Sequence, residues 1–138
     1  MNRAEIEEKR KKELEIRDLF NKREQVNACK AKLQIGREDA HHEFDLYEKG
    51  KVIGGISTSP WKCRTGSANC GGQDRVSTEL LWLTLWEGCE RRVMVLSDRE
   101  MAQKLFQRWR GCPFPHRIEI IHCNLSEKSF ENIGVLSK

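Results

Sequence analysis

An α/β fold with a mixed sheet flanked by helices is predicted, and three observations carry it. A strand, a glycine turn and a second strand follow one another between residues 42 and 58. From about residue 74 to 123, segments with apolar residues at helical spacing alternate with short β-branched runs. A long, highly charged helical segment opens the chain. The 138 residues, 38% hydrophobic and 33% charged, suit a single domain. It divides into an N-terminal helix (1–36), an α/β core (40–123) and a C-terminal tail (124–138).

Each element has its own signal. Ile16, Leu19, Phe20, Val26 and Leu33 recur near a 3.6 period, so residues 2–34 read as one helix that Gly36 can end. Its start, EIEEKRKKELE, is nearly all charged and is expected to project into solvent. HEFDLYE, KGK and VIGGIST make a hairpin. Gly54 and Gly55 inside its second strand mark a bulge or a close backbone approach. Residues 59–74 form a Gly-, Ser- and Asn-rich loop, long enough to suggest a functional role. Asp74 or Ser77 then caps a helix reaching about Glu87 and stopped by Gly88. Leu80, Leu81, Leu83, Leu85 and the core tryptophans Trp82 and Trp86 make it apolar on most sides, the expected central buried helix. RRVMVLSD reads as a buried strand and REMAQKLFQRWRG as an amphipathic helix carrying Met101, Leu105 and Trp109 on one stripe. RIEIIHC reads as the last strand, parallel to the previous one through a right-handed crossover. The element order is therefore α–β–β–α–β–α–β, followed by a polar tail.

Composition narrows the function classes. No apolar run is long enough to span a membrane. The N-terminal charges are not followed by the apolar stretch of a secretory signal, so a cytoplasmic location is the expectation. The six cysteines show no CxxC spacing and are expected as free thiols. The net charge is +4. Residues 91–117 hold Arg91, Arg92, Arg99, Lys104, Arg108, Arg110 and Arg117 against Asp98 and Glu100 only. With Trp109 among them, they are expected to form a patch that meets phosphates.

Glu43, Asp45, Ser57, Lys62, Asp74, Arg75 and Glu79 are the polar residues expected to converge. Glu43 and Asp45 are two apart on a strand and so share a face, and either can supply an acid. Glu79 is expected in the first turn of its helix, where the helix N-terminus favours a carboxylate. His41 and His42 read as solvated residues ahead of the strand. Two carboxylates and a lysine at a sheet edge can hold Mg²⁺ with its waters and orient an attacking water.

On these residues the chain resembles the PD-(D/E)XK nucleases, the restriction-endonuclease-like fold. The hairpin acid within HHEFD matches the family's first acidic position, whereas GGISTS stands where Glu-x-Lys is usual. One branch of the restriction enzymes is more similar, because there a glutamate on the following helix replaces the strand glutamate. Ser57, Lys62 and GGQDRVSTE ending in Glu79 follow that branch's order over roughly residues 41–98. The resemblance implies a restriction-endonuclease-like αββαβαβ core and a Mg²⁺- or Mn²⁺-dependent DNA endonuclease. It implies Glu43 or Asp45, Lys62 and Glu79 as the catalytic set, with Asp45 and Glu79 on the metal. Arg64, Arg75, Arg108 and Arg110 are the expected phosphate contacts, and cutting a duplex implies a homodimer. Two other readings stand beside it. One is a non-catalytic nucleic-acid-binding or assembly module of the same fold, which the missing Glu-x-Lys favours. The other is an α/β domain for a small anionic ligand or nucleotide, held by TGSANCGGQD at a helix N-terminus, although this loop lacks the P-loop spacing.

Overall fold

The computed structural model describes residues 2–138. Among them are three helices and six strands: α1 (Arg3–Glu24), β1 (Cys29–Gln34), β2 (His41–Glu48), β3 (Val52–Ser57), α2 (Cys70–Leu85), β4 (Arg91–Leu96), α3 (Arg99–Trp109), β5 (Ile118–Asn124) and β6 (Ser129–Leu136). The strands form one mixed sheet in chain order. β1, β2 and β3 meander antiparallel, β3, β4 and β5 run parallel, and β6 returns antiparallel to β5. The α/β class, the hairpin and the parallel pairing of β4 with β5 are as the sequence predicts.

Helices cover both faces of the sheet. Ile16 and Phe20 of α1 pack on Leu46, Val52, Ile56, Val93 and Ile121. On the opposite face α2 and α3 bring Leu80, Leu83, Met101 and Leu105 against Phe44, Ile53, Met94 and Ile120. β4, covered on both sides, is buried from Arg92 to Leu96, which is why its sequence is a continuous apolar run and not an alternation.

The structure corrects the boundaries at both ends. α1 stops at Glu24, where Gln25 takes a left-handed conformation and donates its N–H to the Asn21 carbonyl. The Asn21 side chain then brackets Ala28, bonding both its N–H and its C=O at 2.9 Å. The chain restarts as β1, with Ala31 and Leu33 half-buried at a period of two. Leu33 thus belongs to an edge strand and not to the helix. The supposed tail forms β6, with Leu136 buried and Gly134 set against the Phe106 ring. The element order is α–β–β–β–α–β–α–β–β.

α2 begins earlier than expected. Asn69, not Asp74 or Ser77, is the N-cap, its side-chain oxygen accepting the Gly72 N–H at 3.1 Å. The helix ends at Leu85. The buried Arg92 guanidinium bonds Leu83 O at 2.8 Å in the helix's last turn, reaches Trp86 O at its C-cap, and bonds Gly88 O at 3.1 Å just beyond. Only one face of α2 is buried, since Leu81 and Leu85 are about half exposed. The expected basic patch is also dispersed. Arg91 pairs with Glu24 and Glu119, Arg99 pairs with Glu131, and Arg92 is internal. The six cysteines are free, and no helix of the described residues is long and apolar enough to cross a membrane.

Candidate active site

A fork in the sheet makes the site. The β2–β3 ladder runs only from Glu48–Val52 to Leu46–Gly54. Beyond it β2 stays paired with β1 as far as His41, while β3 stays paired with β4 as far as Ser57. β2 also changes face here: Phe44 packs under α2 and α3, whereas Leu46 packs under α1. Asp45 lies at the changeover. Its Oδ2 accepts the Ile56 N–H at 2.9 Å, replacing the carbonyl that a continuing ladder would supply.

A cavity of about 110 Å³ occupies the fork. Asp45 and Ser57 line it from the strands, Glu79 and Arg75 from α2, and Lys9 from α1. Glu79 is the tenth residue of α2, well past the first turn where helix-terminal charge acts. What positions it is the sheet. A Cβ on Gly55 would lie 2.5 Å from Glu79 Cγ and 2.9 Å from its Oε1. The helix glutamate therefore fills the volume that a side chain on β3 would take. The strand glycines do mark close approaches, since a Cβ on Gly54 would lie 2.4 Å from the Val93 carbonyl oxygen.

His42 holds the other side of Glu79. Its Nε2 is 2.8 Å from Glu79 Oε2. The imidazole is stacked on Trp82, centroids 4.7 Å apart at 8°, and meets Phe44 edge-on. Glu79 is only 15% exposed, and burial, reinforced by the Asp45 charge, pushes its carboxyl up to about 8. Burial likewise lowers His42 below the ordinary imidazole value, against the pull of Asp45 and Glu43. Burial thus pushes both partners of the contact toward their uncharged forms, a carboxylic acid beside a neutral imidazole. Glu79 Oε1 is buried and has no hydrogen-bond partner among the described residues. Burial raises Asp45 too, opposed by the Ile56 N–H and by Lys30 and Arg17. Two carboxyls that both resist ionisation, with one oxygen left unpaired, thus share one cavity with Lys9 and Arg75.

No family model matches the chain, and comparison with curated proteins and with solved structures gives no match. The functional reading therefore rests on the residues themselves.

The structure brings together Asp45, Ser57, Arg75 and Glu79 of the expected set. Glu43 is exposed, lies 3.7 Å from Lys30 and does not line the cavity. Lys62 is exposed in the 58–69 loop, bridged to Ala68, and is also absent from the lining. Asp74 is exposed on α2. Arg64 lines a groove next to the cavity. Arg108 lies 5.3 Å over the Trp61 ring and reaches Gln73 Oε1 at 3.4 Å, and Arg110 is exposed at the end of α3. Sequence reasoning missed Lys9 and His42. Lys9 sits in the charged start of α1, where nothing local separates it from its neighbours. His42 could have been found from the alternation of β2, which places it two residues from the buried Phe44 on the same side. Among the described residues no group of three or more His, Cys, Asp or Glu side chains assembles as a metal cage. The available donors are two carboxyls.

Proposed function

We propose that the protein is a divalent-metal-dependent DNA endonuclease that hydrolyses phosphodiester bonds. The observation that carries the proposal is the unpaired, buried Oε1 on Glu79, a residue that lines one cavity with Asp45 and Lys9. The family resemblance is supported by three features: the β2–β3 hairpin, the crossover through α2 to a parallel β4, and a helix glutamate in the space of a β3 side chain.

The donor set fits Mg²⁺ or Mn²⁺, hard cations that accept one or two carboxylates and keep several waters. Asp45 and Glu79 would hold it, and the bound cation would polarise a phosphoryl oxygen and lower the pKa of a coordinated water. Glu79 then acts as a carboxylate, kept in its rotamer by His42 Nε2, with Oε1 packed beside Gly55 and free of any hydrogen bond among the described residues. Asp45 keeps its orientation through the Ile56 N–H. Lys9 presents an ammonium to the same cavity, where it orients the attacking water and offsets charge developing on the phosphate. Arg75, on the wall shared with the neighbouring groove, contacts a phosphate of the bound strand. Lys9 thus takes the part expected of Lys62.

Nicking of supercoiled plasmid with Mg²⁺, Mn²⁺ or EDTA tests this. Cutting is expected with either metal and not with EDTA. It should fall about 100-fold or more in both Glu79→Gln and Lys9→Met and stay within a few-fold of wild type in Lys62→Met. Folded wild-type protein that binds DNA without cutting it would replace this reading with the non-catalytic module.

A further inference from the structure

We infer that the groove beside the cavity is the track of a single polynucleotide strand, and that strand rather than the face of an intact duplex is what the site engages. The inference rests on the nuclease reading for what happens at the cavity, but its own ground is the groove. The groove has a volume of about 520 Å³ and is continuous with the cavity, sharing Lys9, Thr58, Ser59 and Arg75. The first three turns of α1 form one wall, and the loop carrying Pro60, Arg64 and Asn69 forms the other.

Four cations line it. Among the described residues, Lys9, Lys12, Arg64 and Arg75 form no ion pair with any carboxylate. Arg75 has only a 3.5 Å contact with Ser59 Oγ. Four unpaired cations thus converge on one cleft that leads to the two carboxyls, an electrostatic funnel for a phosphate chain.

The same groove disfavours a duplex. Glu5 and Glu8 lie on the α1 wall beside Lys9 and Lys12. A duplex carries one negative charge per roughly 1.7 Å of axis, twice the density of one strand, and its second strand would bring phosphates against those carboxylates. One strand can turn its phosphates to the cations and its base edges, which carry N–H donors, to Glu5, Glu8 and Asn69. The depth of the site agrees, because Glu79 is only 15% exposed. A scissile phosphate has to be threaded between α1 and the loop, not laid across a flat surface.

The test is fluorescence anisotropy with the full chain in EDTA, using labelled single-stranded DNA, single-stranded RNA and blunt duplex DNA of equal length. Single strands of either chemistry should bind about tenfold tighter than the duplex. Lys12→Glu combined with Arg64→Glu should weaken strand binding about tenfold and lower the slope of log affinity against log salt by one to two. Arg64→Gln alone should do about half of this, and thermal melts should show every variant folded. Equal affinity for duplex and strand, or unchanged strand binding in the folded double variant, would overturn the inference. Because EDTA removes the cation, a failure of the nicking assay leaves this measurement intact. Conversely, metal-dependent cutting of blunt linear duplex at interior sites, without preference for single strands, would sink the groove and spare the nuclease.

Discussion

Replacing Glu79 by Gln separates the cost of the site from its use. Glutamine keeps the size of the side chain and can still bond His42, but it cannot ionise. In the folded protein the Glu79 carboxyl is raised from 4.5 to about 8, while in the unfolded chain it titrates near its ordinary value. Below about pH 4.5 both states are protonated and the carboxyl contributes no penalty. As pH rises the unfolded chain loses its proton and the folded one does not, so stability falls until the folded group ionises near pH 8. Each pH step of one is worth about 1.4 kcal/mol at full slope, and the slope is partial near both ends, so between pH 5 and pH 8 the wild type should lose about 3 to 4 kcal/mol relative to Glu79→Gln. Burial of His42 acts in both proteins, and comparing them at each pH largely cancels it. Urea denaturation across this range is the assay. Wild-type and variant curves that stay parallel from pH 5 to pH 8 would refute the account of a carboxyl held protonated by burial. Saturating Mn²⁺ at pH 8 should stabilise wild type more than Glu79→Gln, because only the wild type can offer both the Glu79 and the Asp45 carboxylates.

Two further predictions concern the frame around the site. Gly54→Ala would drive a methyl against the Val93 carbonyl across the β3–β4 pairing, and a loss of about 3 kcal/mol in urea denaturation is expected. A neutral result there would show that the strands have room to part. Asp98 caps α3 through the Met101 N–H at 3.1 Å and also holds the 58–69 loop through the Trp61 N–H at 2.7 Å. Asp98→Ala should therefore cost about 1–2 kcal/mol, and it should speed amide exchange at residues 61–69 while exchange in β1 stays unchanged.

The parts of the fold that could be read in the sequence are those where local pattern and tertiary role agree. β4 reads as a buried strand because both of its faces are covered, and α3 reads as amphipathic because Met101 and Leu105 face the core while the other side is wet. The misread segments are those where a partner distant in sequence decides. Residues 26–34 continue the apolar spacing of α1, and only the bracketing of Ala28 by Asn21, together with pairing to β2, turns them into a strand. CGGQ looks like loop because glycine disfavours helix. It is helical because Asn69 caps it and because Gly72 sits where a Cβ would meet Asn69 and Ser59. SFENIGVL spaces its apolar residues irregularly because β6 is bulged opposite Ile120 and Ile121, so no strict alternation marks it as a strand.

The site divides along the same line. Asp45 and Glu79 were accessible to sequence reasoning because carboxylates on a hairpin and on a greasy helix stand out. The lysine was not, since a cation on an exposed loop and a cation on a charged helix look alike until α1 is laid beside the fork. The informative residue is Gly55, which by itself carries no chemistry. By leaving its side-chain volume empty it lets a carboxyl from α2 reach the sheet between His42 and Asp45, in a place dry enough to keep that carboxyl protonated. A side chain on β3 would exclude Glu79, and a wetter pocket would ionise it without a ligand. Absence of a side chain on the strand and presence of one on the helix are thus one structural fact. The chemical demand it creates is for a partner to the Glu79 carboxyl, whose Oε1 has none among the described residues and for which a divalent cation would serve.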